Sequence, residues 1–196
     1  MVANQRKILV TGATGQQGGS LARLLLQKKH RVYALTRNTQ SPAAQDLQNR
    51  GANIVKGDLD DSDSLKRAVK DVQSIFLMGT PFEDGTEGET RRGKSMVEIA
   101  KENNIEHLLY SSVANADKNT GIPHFESKYK VEQHVKNLGI PHTIIAPTFL
   151  WKTCLVQDYS RVSWLCLYLH TVFYNKALFK ILQNSQLWCL NVVNRF

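Results

Sequence analysis

A chain of 196 residues with 42% hydrophobic and 21% charged content has room for one domain and a short appendage, and this composition excludes wholesale disorder and collagen-like structure. No apolar run reaches roughly 18 residues, so no membrane-spanning helix is expected, and MVANQRK enters the apolar run Ile8-Leu9-Val10 without the features of a secretory signal. The net charge of +8 admits an anionic ligand without identifying one, while Cys154, Cys166 and Cys189 fit no zinc spacing and point to a reducing, intracellular compartment.

Continuous apolar, β-branched runs predict strands at 7–12, 31–36, 53–57, 74–79, 106–112 and 142–146, each suited to burial on both faces of a parallel sheet. Helix punctuation lies between them. Ser41-Pro42 offers an N-cap and a first-turn proline, with Gly51 to end that helix, and Ser62 is the expected cap of the next, which carries Leu65, Ala68 and Val69 on one face. Residues 89–103 place Met96, Ile99 and Ala100 at helical spacing, and 124–138 do the same for Phe125, Val131, Val135 and Leu138 before Gly139. Alternating strand and helix predicts a Rossmann-like α/β fold, a doubly wound parallel sheet with helices on both faces.

The first strand runs into Thr11-Gly12-Ala13-Thr14-Gly15-Gln16-Gln17-Gly18-Gly19 and then a helical stretch. Gly12 permits the turn off the strand, Gly15 clears space for a pyrophosphate, and Gly18 lets the helix approach the sheet. First-turn N–H groups then face the phosphates. At the end of the second strand a site for NAD(H) needs an acid to bond the ribose 2′-hydroxyl; this chain has Thr36-Arg37-Asn38 instead, and Arg37 suits a 2′-phosphate, favouring NADP(H) over NAD(H). Gly57-Asp58-Leu59 offers a carboxylate either to the adenine amino group or to a turn cap. Gly79-Thr80-Pro81 ends the fourth strand beside the cofactor crevice.

TGATGQQGGS, LTRN, GDLDD and HFESKYKVEQHV followed by GIPHTIIAPTF resemble the NmrA-like family of atypical short-chain dehydrogenase/reductases, over residues 1 to about 149. The resemblance implies binding of NADP(H) or NAD(H) through Gly12, Gly15, Gln16, Gln17, Gly18 and Arg37, a basic residue at Arg92, and Lys128 near the nicotinamide ribose. Family members include redox-sensing regulators of transcription factors and NAD(P)H-dependent quinone reductases. Reductases of the wider group use a serine at the end of the fifth strand and a Tyr-x-x-x-Lys pair. Here Ser111 and Ser112 supply hydroxyls, but His124 stands four residues before Lys128 where the tyrosine would be. A neutral histidine is a weaker stand-in as proton donor.

A composition change near Pro147–Trp151 divides a 1–150 cofactor-binding domain from a 151–196 tail. All Gly and Pro lie before it, all Trp and Cys after it, and the tail has Asp158 as its single acid against five basic residues. The tail departs from the substrate subdomain that the resemblance implies, which is therefore expected to be largely missing. Trp164–Phe173 with Lys176 and Lys180 reads either as a basic aromatic helix for a membrane surface or partner groove, or as a replacement tail whose apolar patches promote self-association into a homo-oligomer.

The leading expectation is an NADP(H)-binding regulator acting through a protein partner such as a transcription factor, in the cytoplasm and also the nucleus. The alternative is an NAD(P)H-dependent oxidoreductase of quinones or small carbonyls using Lys128, Ser111 and His124. A third is a truncated product without independent activity. No metal site is expected, and dispersed charge without a helix-turn-helix argues against direct nucleic-acid binding.

Overall fold

A computed structural model describes residues 5–147. Strands β1 (Lys7–Val10), β2 (Arg31–Thr36), β3 (Asn53–Lys56), β4 (Ser74–Met78), β5 (His107–Ser111) and β6 (His142–Ile145) form one sheet in the order β3-β2-β1-β4-β5-β6, with all pairs parallel. Helices α1 (Gln16–Gln27), α2 (Pro42–Asn49), α3 (Ser62–Val69), α4 (Gly85–Glu102) and α5 (Pro123–Leu138) provide the crossovers.

Period-two alternation along each strand sorts its side chains between two cores. Ile8 and Val10, Phe76 and Leu109 pack with Leu21, Leu25 and Leu47 of α1 and α2. Leu9, Ile75, Leu77, Leu108 and Tyr110 face the other way, against α3, α4 and α5. Both faces of the sheet are therefore covered, which is why its strands read as unbroken apolar runs rather than as alternating ones.

Local capping matches the sequence in part. The Ser41 hydroxyl accepts from the Ala44 N–H at 3.3 Å, Pro42 opens α2, and Gly139 ends α5 at φ +64. The cap of α3 is Asp61 rather than Ser62: its carboxylate accepts from the N–H groups of Asp63 and Ser64, and an acid at that point also complements the helix dipole. Helix α4 begins at Gly85, four residues before the expected start, despite the low helix propensity of Gly85 and Gly88. Arg91 bridges back to Asp84 at 3.0 Å and anchors this added turn. No helix among the described residues is long and apolar enough to cross a membrane. The 151–196 tail and the reading of Trp164–Phe173 lie outside the described residues.

Candidate functional site

The order of strands reverses between β1 and β4, and the crevice beyond their carboxyl ends is where such sheets bind ligands. Thr11 bridges the two strand ends there. The Thr11 hydroxyl accepts from the Met78 N–H at 2.9 Å and lies 3.3 Å from the Met78 carbonyl, tying the two strand ends together just before the chain turns away. Gly12 makes that turn at φ +60, and a side chain there would meet Met78 Sδ at 2.9 Å. The Gly15 N–H closes the loop on the Gly12 carbonyl at 2.9 Å. Gly18 lets α1 approach the end of β1: a Cβ there would run into the backbone of Thr11 and Gly12.

Helix α1 starts against this loop. Its N-cap, Gly15, has no side chain with which to satisfy the first-turn N–H groups, and no acid lies in that turn. Those donors, with the positive end of the helix dipole behind them, form an anion site.

A cleft of about 810 Å³ extends from the loop across the ends of β2, β3 and β4, within the range of small-molecule and cofactor sites. Gly12, Thr14, Gly15, Gln16, Gln17, Arg37, Asp58, Leu59, Gly79, Thr80 and Arg92 all line it. Gly18, Pro81, Ser111, His124 and Lys128 are not among its lining residues. Ser111 and Lys128 nonetheless reach groups that are: the Gln17 amide donates to Ser111 Oγ at 2.9 Å, and Lys128 Nζ donates to the Gly79 carbonyl at 3.2 Å. His124 stands apart, exposed at the start of α5 with its ring edge-on to Phe125 at 4.8 Å. Ser112 turns away from the cleft and donates to the buried Glu132 on α5.

Two ionic assemblies escaped the sequence reading. At the rim, Arg37 forms a bidentate pair with Glu83, at 2.9 and 2.6 Å, and this carboxylate raises the guanidinium pKa first by hydrogen bonding and then by its charge. Arg92 donates to Asp60 at 2.7 Å and is only 13% exposed, while Arg91 beside it is a solvated arginine sharing Asp60 and Asp84. Asp58 takes the turn role, its Oδ1 accepting from the Asp60 N–H at 3.1 Å, while also lining the cleft.

Beneath the cleft, Lys128 pairs with Glu89 at 2.8 Å, and Ser127 donates to the same carboxylate at 2.6 Å. The ammonium also sits 5.9 Å from the centre of the Tyr110 ring. Glu89 shares a helical face with Gly93, Met96 and Ala100, all buried, and that spacing was the available signal for an inward-facing carboxylate. Burial, then Glu89 and Glu132, push the Tyr110 phenol well above its ordinary pKa. Among the described residues no three or more His, Cys, Asp or Glu side chains gather to hold a metal ion.

The sheet order, the glycine loop before α1 and the cleft at the switch point define a Rossmann-type α/β domain. The chain belongs to the NmrA-like family, whose model matches residues 4–171 and so continues past the composition change near Pro147–Trp151. The NmrA-like family domain-containing oxidoreductase cpsB of Aspergillus campestris is 36% identical over 174 residues, covering 82% of this chain and 51% of the relative. FrzB of a Cladobotryum species, likewise described as an oxidoreductase, is 32% identical over 167 residues, with 79% and 50% covered. The chain thus spans about half the length of the curated relatives it matches. Among solved structures, triphenylmethane reductase of Citrobacter sp. complexed with NADP(H) superposes with a TM-score of 0.62 at 28% identity, covering 70% of this chain and 48% of that one. NmrA, a negative transcriptional regulator in complex with NADP, superposes with a TM-score of 0.64 at 25% identity, covering 72% and 45%.

Proposed function

We propose that this chain binds a nicotinamide dinucleotide, NADP(H) ahead of NAD(H), in the cleft at the β1/β4 switch point, and acts as a redox-responsive regulator whose liganded state changes its contacts with a protein partner such as a transcription factor. The residues present fit such a ligand. Gly12 and Gly15 leave backbone where side chains would stand, the first turn of α1 carries no acid to repel a pyrophosphate, and Arg37 and Arg92 supply cations at the far end. Cytoplasm and nucleus are the compartments in which such a regulator would meet that partner.

The observation that carries the regulatory reading is the state of the proton donors. A nicotinamide supplies hydride chemistry when bound, and carbonyl reduction then needs an acid at the reacting oxygen. His124 is exposed beside Phe125 rather than in the cleft. Tyr110 does line the cleft next to Lys128, but burial and two carboxylates make its phenol a weaker acid than usual.

A reductase of quinones or small carbonyls is the second reading, favoured by one feature: Lys128 Nζ reaches the Gly79 carbonyl on the cleft wall. Calorimetric titration with NADPH and NADH, paired with an assay of NADPH oxidation, separates the two. Binding without quinone- or carbonyl-dependent oxidation supports the regulator. Substrate-dependent oxidation by the wild type, lost in a Lys128→Ala variant that circular dichroism shows to be folded, establishes the reductase. A folded chain that binds neither dinucleotide overturns both.

A further inference from the structure

We propose that Glu83 sets the dinucleotide preference of the cleft, holding Arg37 when the adenosine ribose carries a 2′-hydroxyl and releasing it when the ribose carries a 2′-phosphate. The inference rests on the reading of the cleft as a dinucleotide site.

Strand β2 ends in Thr36-Arg37-Asn38, with no acid where an NAD-binding domain places one to accept from the ribose hydroxyls. The fold brings an acid to that point from elsewhere. Glu83 lies on the segment between β4 and α4, 46 residues along the chain from Arg37, and both residues line the cleft. Its two carboxylate oxygens take Nη1 and Nη2 of Arg37, at 2.9 and 2.6 Å. That two-pronged face of the guanidinium is the one a phosphate uses in bidentate recognition, so Glu83 and a 2′-phosphate compete for the same donors.

The competition is reversible because of where the pair sits. Both side chains are well exposed, at 59% and 44%, and an ion pair in that setting contributes little to the fold. Glu83 also has a second cation at hand, since Arg92 Nη1 lies 3.8 Å from its Oε2. Arg92 in turn is fixed by Asp60 at 2.6 Å. A carboxylate turned away from Arg37 therefore stays beside a guanidinium that is already immobilised. A 2′-hydroxyl, by contrast, presents no charge to displace Glu83 and can donate to it, so one site serves both dinucleotides with opposed roles for one side chain.

The test is calorimetric titration of the full chain with NADPH and with NADH, for wild type, Glu83→Ala and Arg37→Ala, with circular dichroism to verify folding. Removing Glu83 is expected to tighten NADPH about fivefold and weaken NADH about fivefold, whereas Arg37→Ala weakens NADPH about tenfold. An unchanged NADPH-to-NADH affinity ratio in Glu83→Ala, with Arg37→Ala still weakening NADPH, overturns the role of Glu83 and leaves the cofactor reading standing. Failure of the folded wild type to bind either dinucleotide overturns both.

Discussion

The Lys128 ammonium lies 2.8 Å from the carboxylate of Glu89, whose side chain is 1% exposed, so α4 and α5 are joined by an ion pair beneath the cleft. The pair is completed by Ser127, which donates to the second carboxylate oxygen, and by the Gly79 carbonyl, which accepts from the ammonium. Each buried charge thus has its partners, and the ammonium is fixed at the end of β4 before any ligand arrives.

Breaking this pair from one side leaves an uncompensated charge. Glu89→Ala and Lys128→Met are each expected to destabilise the fold by about 3 kcal/mol, while the double variant recovers much of that loss. Urea unfolding at neutral pH measures all three. Strictly additive losses would show that the two residues are not coupled.

Tyr110 presents the opposite case, for its hydroxyl is buried with no hydrogen-bond partner among the described residues. Tyr110→Phe removes an unsatisfied polar atom and keeps the ring. Its expected effect on unfolding free energy is neutral to stabilising by about 1 kcal/mol. A loss larger than that would mean that the hydroxyl has an acceptor.

Asp60 gives the fold an acid-sensitive contact. Arg92 and then Arg91, by hydrogen bonding, hold its carboxyl at about 2, against an ordinary 3.8. The unfolded chain therefore takes up the proton more readily than the folded one. The stabilisation is complete above about pH 4 and is lost as pH falls through about 2; solvent screening limits it to about 1 kcal/mol. Urea midpoints between pH 2 and 5 should fall more steeply for wild type than for Asp60→Asn, and identical slopes would refute the assignment.

The glycine loop is sensitive at Gly18 because a methyl group there meets the carbonyls of Thr11 and Gly12. Gly18→Ala is expected to cost about 2 kcal/mol and to weaken NADPH binding, since the loop must open at the start of α1. Gly51→Ala makes a useful contrast: it is also strained, at φ +97, but has open space around it and lies outside the cleft. It should lose stability with little change in NADPH affinity. Equal loss of affinity in both variants would count against a local role for Gly18.

The sheet was legible because its signals are local. Six apolar runs separated by capped helices prescribe parallel strands, and the fourth, Ser74–Met78, needs only its own side chains to read as buried on both faces. The loop from Gly12 to Gly18 was legible for the same reason, as its turn, its helix start and its missing Cβ atoms all fall within one short stretch. Where the local signal was ambiguous the reading slipped. Asp61 and Ser62 are both acceptable caps, and only the backbone path decides which one meets the free N–H groups.

The charged architecture of the cleft could not be read this way. Glu83 and Asp60 lie on loops without periodicity, and the helical spacing of Glu89 shows only that it faces inward, not what it meets. Their partners Arg37, Arg92 and Lys128 lie 46, 32 and 39 residues away in sequence. An ion pair depends on distance in space, and those distances follow from parallel crossovers that bring the loops after β2, β3 and β4 and the N-terminal halves of α4 and α5 to one end of the sheet. The amino-acid sequence by itself determined the strands, the glycine loop and the cations that suit a phosphate. The tertiary structure decided which carboxylates those cations hold, because residues on separate loops and helices are joined by the packing of the whole domain rather than by the regular periodicity of one helix or strand.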